Sequence, residues 1–253
     1  MAAGILDALS GGGALAGLEE PDWARLRHAY GAAVMFRGCC GRRSRSRPAE
    51  RQHALHELYA NIFHQGSRYE ATAHAVPFLA RLALDPQTPQ RDEIVQLLAA
   101  LAIGYDEAYL PAGVDIAGWR ASIERMRSVD PAQQLRDLDA WVGAARGEAD
   151  RRVRAVQRAI YDSDPALRSA LDELAAYDAV RAEVPRLRGL LSDGDPRVRA
   201  AAAYLVGWFP QEAPGSSGVL RVLLAAEARP GVAATAVISA GLLGDTDLIP
   251  RLR

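Results

Sequence analysis

Asp-Pro dipeptides recur along the second half of the chain at nearly constant spacing, and that spacing restricts the fold more than any other feature. YDSDPALRSALDEL (161–174) and SDGDPRVRAAAAYL (192–205) share Asp-Pro, one residue, an aliphatic, Arg, one residue, then Ala. Asp164 and Asp195 suit a helix N-cap, and Pro165 and Pro196 suit the first helical position, where a missing N–H is harmless. EARPGVAATAVISA (227–240) keeps Pro230, Val232 and Ala234, and SVDPAQQLRDLDA (128–140) keeps Asp130 and Pro131. The prolines at 131, 165, 196 and 230 lie 34, 31 and 34 residues apart. A period in this range, with two helices per unit, marks an α-solenoid. Between Asp164 and Asp195 the pattern predicts one helix over 165–177 and a second over 179–191. Neither helix of such a pair can bury its apolar face alone, so stacking on neighbours supplies the core.

Composition agrees with an all-α chain. Of 253 residues 49% are hydrophobic, and the apolar mass is Ala, Leu and Val with only 6% aromatics, which favours closely packed helices over sheets. The formal net charge of −1 gives no general attraction to nucleic acid or membranes. All 30 basic residues are Arg, so Schiff-base, P-loop and kinase-type lysines are excluded. The N-terminus carries Asp7 and no basic n-region, a poor signal peptide. The adjacent Cys39 and Cys40 are no disulfide framework. A reducing compartment, the cytoplasm, is the expected location. No stretch approaches the roughly 20 apolar residues of a membrane span.

Nearer the N-terminus, HALHELYANIF (53–63) places Leu55, Leu58, Tyr59 and Ile62 on one helical face, and ATAHAVPFLARLA (71–83) does the same with Ala75, Phe78, Leu79 and Leu82. The link between them, HQGSRYE (64–70), reads as a corner. Gly66 suits a left-handed helix end, and Ser67 with Glu70 reads as a capping box. Pro77 is expected to kink the second helix. That account uses Gly66, Ser67 and Glu70 and leaves His64, Gln65, Arg68 and Tyr69 free for binding. A further helix is predicted over about 90–102. The 45 residues from Pro86 to Pro131 exceed the other spacings, so an insertion is expected around 104–128. The chain closes on LLGDTDLIPRLR, which reads as a repeat cut short before its second helix.

LSDGDPRVRAAAAYL (191–205) resembles the HEAT repeat, with Asp193, Val198, Arg199 and Ala202 matching its Leu-x-Asp, Val-Arg and small-residue pattern. LYANIFHQGSRYEATAHAVPFLARLA (58–83) is similar to bacterial HEAT-like (PBS-lyase-type) repeat proteins with a His-Gln-Gly corner before a Tyr-Glu-Ala…Pro-Phe-Leu helix. The resemblance covers most of 51–253. It implies a right-handed α-solenoid of antiparallel helix pairs whose members mostly act as interaction scaffolds. A few relatives are enzymes, DNA glycosylases and phycobilin lyases, and no catalytic motif of either kind can be placed on this chain.

The first 50 residues depart from the pattern. MFRGCCGRRSRSRPAER (35–51) holds Arg37, Arg42, Arg43, Arg45, Arg47 and Arg51 against the single Glu50. Three readings stay open: a disordered basic loop, a phosphate-binding arm through Arg42, Arg43, Arg45 and Arg47, and a shifted reading frame whose alternative, Val-Pro-Gly-Leu-Leu-Arg, would begin an apolar helix.

The chemical motifs are thin. All five His (28, 53, 56, 64 and 74) lie early in the chain, yet Cys39, Cys40, His53 and His56 match no standard zinc spacing. Ala60 stands where a zincin-type second His would be needed. Pairing Ser67 with His64 leaves no evident orienting carboxylate. Trp208 reads as core, and Trp119 and Trp141 read as core before binding anchors. The expectation is therefore an all-α, non-catalytic scaffold or regulator with a protein partner, no cofactor, no metal and no membrane. The alternative is a nucleic-acid-binding, glycosylase-like HEAT protein.

Overall fold

In the computed structural model the structure describes residues 13–45, 48–161 and 163–245, with the side chains of 41–48 and 162–164 outside that description. The described chain is all-α apart from two minimal hairpins. These are β1 (Arg27–His28) with β2 (Gly31–Ala32), and β3 (Phe63–His64) with β4 (Ser67–Arg68). It divides into two compact units, one of residues 1–114 and 172–253, the other Asp115–Leu171.

The first unit begins with α1 (Phe36–Arg45) packed on α2 (Pro48–Asn61). Its backbone is therefore helical where a basic loop was one reading. Phe36, Cys39 and Cys40 are fully buried, so the residues as written supply an apolar face. Trp23 joins the same core, its indole N–H donating to the Leu18 carbonyl at 2.7 Å and its ring lying 4.5 Å from Phe36.

Three helical layers follow. α3 (Glu70–Leu84) packs on α4 (Arg91–Ile103), and α4 packs on α9 (Pro196–Val206). α9 packs in turn on α11 (Pro230–Leu242), which is backed by α10 (Ala213–Ala226). This order fits a solenoid-like stacking. The charged residues of LSDGDPRVR act as ties between layers. Asp193 reaches back to Arg91 at 2.7 Å, while Arg199 reaches forward to Glu227 at 2.7 Å and also donates to the Asp193 carbonyl at 2.8 Å. Asp195 caps α9 by accepting from the Arg197 N–H at 2.9 Å, with Pro196 at the first position.

Two expectations need correction. Residues 165–191 do not form two helices. α8 (Ser163–Leu187) runs unbroken for 25 residues and closes in a 3-10 turn, Arg188–Ser192. No Gly or Pro interrupts 166–184, and Pro185, near the helix end, leaves the helix intact. Nor do the four evenly spaced prolines mark four successive layers. Pro196 and Pro230 open stacked helices of the first unit, whereas Pro131 and Pro165 lie in the second unit.

The second unit holds α5 (Ile116–Ser128), α6 (Pro131–Gly143), α7 (Glu148–Ile160) and the first residues of α8. Asp115 and Asp130 cap α5 and α6. Among its described residues Ile123 is the buried hydrophobic side chain. α6 and α7 bury none.

Candidate functional site

The corner 64–70 is a hairpin. Gln65 (φ 52°) and Gly66 (φ 86°) both adopt the left-handed conformation that a two-residue β-turn of this kind requires. Ser67 pairs with His64 in β4 and is no helix cap. The capping is done by Thr72, whose hydroxyl accepts from the Tyr69 N–H at 2.9 Å and donates to the Ile62 carbonyl at 2.8 Å. Ser67 was displaced from that role because α3 starts only at Glu70, so a cap must come from Tyr69 and its third successor.

Strand alternation splits the four residues set aside for binding. Phe63 and Arg68 are paired and buried, while His64 and Ser67 are half-exposed. Arg68 donates to the Gly66 carbonyl and to Glu173 Oε2 at 3.3 Å. It also shares a hydrogen bond with Tyr109, and burial lowers its pKa against the opposing pull of Glu173 and Tyr109. Gly104 makes room for it, and Gly66 makes room for the Tyr105 ring. A Cβ on Gly104 would lie 2.6 Å from Arg68 Nη1, and one on Gly66 would lie 2.8 Å from the Tyr105 ring. Arg68 is thus a tie between the corner and α8, not a surface contact.

His64 and Tyr69 lie with Tyr30, which the sequence reading missed. The Tyr30 hydroxyl is 3.3 Å from His64 Nδ1, and Tyr69 neighbours both Tyr30 and the Ser67 hydroxyl, with burial raising its pKa. Glu70, the nearby carboxylate, is engaged by Arg27 at 3.4 Å. The cluster offers hydrogen bonds and aromatic surface. Gln65 is exposed at the turn. The side chains of Arg42, Arg43, Arg45 and Arg47 lie outside the described residues. Among described residues no three His, Cys, Asp or Glu side chains converge as a metal site. Cys39 donates to Glu57 Oε2 at 3.2 Å, and His53 lies 3.6 Å from the same carboxylate.

The second unit presents a different kind of surface. α7 packs on α6 through polar side chains. Its half-buried line is Asp150, Arg154 and Arg158. Arg158 pairs with Asp139 at 2.7 Å, and Arg154 pairs with Asp150 at 2.9 Å, donates to the Trp141 carbonyl and stacks 4.8 Å over the Trp141 ring. These hydrogen bonds hold Asp139 and Asp150 below the usual carboxylate range. The aliphatic line of α7 points the other way. Val153, Val156 and Ile160, at i, i+3 and i+7, are 58%, 61% and 75% exposed. Trp141, expected in the core, is 39% exposed. The spacing of α7 was legible, but it was not singled out.

Burying one Val or Ile side chain is worth roughly 1.5–3 kcal/mol, so a free chain forgoes several kcal/mol along this ridge. Exposed Arg125, Arg146, Arg151 and Arg168 have no acidic partner among the described residues. A hollow of about 410 Å³ lined by Met126, Val129, Pro131, Tyr161 and Leu167 lies in the same unit, with Arg125 beside it. No helix of the described residues is long and apolar enough to cross a membrane. Compared with known proteins, the chain matches no family model, no curated protein and no solved structure.

Proposed function

We propose that this chain is a HEAT-like, non-catalytic binding scaffold whose second unit captures an amphipathic, acidic helix of a partner protein. The observation that carries the reading is the outward aliphatic ridge Val153–Val156–Ile160 on a helix whose inward face is polar. A linear ridge on one helix fits the groove-and-anchor mode of helix recognition. The hollow beside Met126 and Val129 suits a partner's anchor side chain. These arginines favour an acidic flank on that partner. Cys39 and Cys40, buried and in no disulfide, support a reducing compartment, the cytoplasm, as part of the same proposal.

The nucleic-acid alternative rests on Arg42, Arg43, Arg45 and Arg47, whose side chains lie outside the described residues, and a phosphate backbone has no use for an aliphatic ridge. The test is a tagged pull-down, with and without nuclease, comparing the wild-type chain with the double variant Val156→Glu, Ile160→Glu. A protein recovered after nuclease by the wild type and lost by the variant supports the reading. Recovery that vanishes with nuclease, or is equal in the two chains, overturns it.

A further inference from the structure

In the first unit, α3 turns one face toward a cavity of about 630 Å³ bounded by His74, Pro77, Phe78, Arg81, Glu20 and Arg186. His74, Pro77, Phe78 and Arg81 stand at i, i+3, i+4 and i+7, so one stripe of one helix supplies this wall. The volume lies in the range of small-molecule sites.

Two charged side chains here lack a mate, and one backbone carbonyl lacks its usual helical donor. Arg81 lies 4.7 Å over the Phe78 ring. Its Nε is buried without a hydrogen-bond partner, and no acidic group pairs with it among the described residues. Glu20 is exposed, and no cation pairs with it among the described residues. Its carboxylate folds toward Gly17, where φ is +77° and a Cβ would sit 3.1 Å from Oε1. Ala73 lines the same cavity, and Pro77 has no N–H to give the Ala73 carbonyl four residues back. Arg81 and Glu20 are not paired with each other. Arg186 is already engaged by Glu183 at 2.9 Å.

An uncommitted guanidinium facing the same space as an uncommitted carboxylate and a donor-poor carbonyl calls for a ligand with both signs of charge. We propose that this cavity binds a small zwitterion of the α-amino acid class. Its carboxylate lies on Arg81, where a planar fork gives two parallel hydrogen bonds. Its ammonium lies toward Glu20 and the Ala73 carbonyl. A phosphate or dicarboxylate would meet Glu20 as a like charge, and an apolar ligand would leave Arg81 unanswered. The site is independent of the docking ridge on α7.

The experiment is thermal unfolding of the full chain against each of the twenty amino acids. Inorganic phosphate, succinate and the N-acetyl and decarboxylated forms of any amino acid that shifts Tm complete the panel. The expected result is a saturable rise in Tm with at least one amino acid and none with its N-acetyl or decarboxylated form. Arg81→Met abolishes the rise, and Glu20→Gln weakens affinity about tenfold, the scale of one lost charge-assisted contact. Glu20 is exposed, so its variant folds and keeps the test decisive even where Arg81→Met does not. No shift with any amino acid overturns the proposal. So does equal binding by phosphate or an N-acetyl derivative, or undiminished binding by Glu20→Gln.

Discussion

Helices α4 and α7 are each 13 residues long, yet they meet solvent in opposite ways. α4 buries Ile94, Val95, Leu97, Leu98, Ala99, Leu101, Ala102 and Ile103, because α3 covers one side and α9 another. α7 buries nothing, turns Asp150, Arg154 and Arg158 toward α6, and leaves its aliphatic line in water. Helices that are apolar nearly all round belong to a core, while a helix with one sharp apolar stripe needs exactly one covering surface. In α7 that surface is missing from its own unit. The first region explains why the chain folds, and the second leaves an apolar stripe uncovered.

The contrast can be broken by mutation. Leu98→Ala should destabilise the chain by about 3 kcal/mol, from lost burial and a cavity between packed helices. Val156→Ala should stay within about 0.5 kcal/mol, as at an uncovered surface position. Urea unfolding of the two variants makes the comparison, and equal losses would erase it. Next in size is the corner. Gly104→Ala forces a Cβ into Arg68 at a positive φ and should lose roughly 1–3 kcal/mol, read in the same way, whereas Gly143→Ala, with open space around it, should not destabilise.

A smaller effect concerns the layer tie to Glu227 and the cap of α9 in the first unit. Glu227 is held below its ordinary pKa by Arg199, and Asp195 by Arg197. A depressed carboxylate contributes stability that is fully present above its unfolded value, about 4, and is lost as pH falls through the folded value. The urea midpoint should therefore fall as the solution is acidified below about pH 4, and Glu227→Gln should flatten part of that fall. A midpoint that rises on acidification would contradict both.

Much of the first unit was readable because its signals are local. Asp195-Pro196 marks the start of α9, and the i, i+3, i+4 faces mark α2 and α3. What local signals cannot convey is the partner of a face. The stripes of α6 and α7 look like those of any packed hairpin, so Trp141 read as core although it stands beside Arg154 in solvent. The same limit hid the corner. Whether Ser67 or Thr72 serves α3 depends on where the helix starts, and whether Arg68 faces in or out depends on a two-residue strand pairing. Tyr30 was invisible as a neighbour of His64 because 34 residues separate them. The evenly spaced prolines misled for a related reason, since a period in sequence does not say which copies stack.

The most direct test places a single reporting thiol on each of the two helices, Val156→Cys and Leu98→Cys. Cys39 and Cys40 are fully buried and supply an internal protected reference. The account predicts that Cys at 156 reacts with a thiol reagent in the native chain nearly as fast as in the urea-unfolded chain, while Cys at 98 reacts only on unfolding. Protection at 156 in the purified native chain would contradict it, because the ridge on α7 would then already be covered.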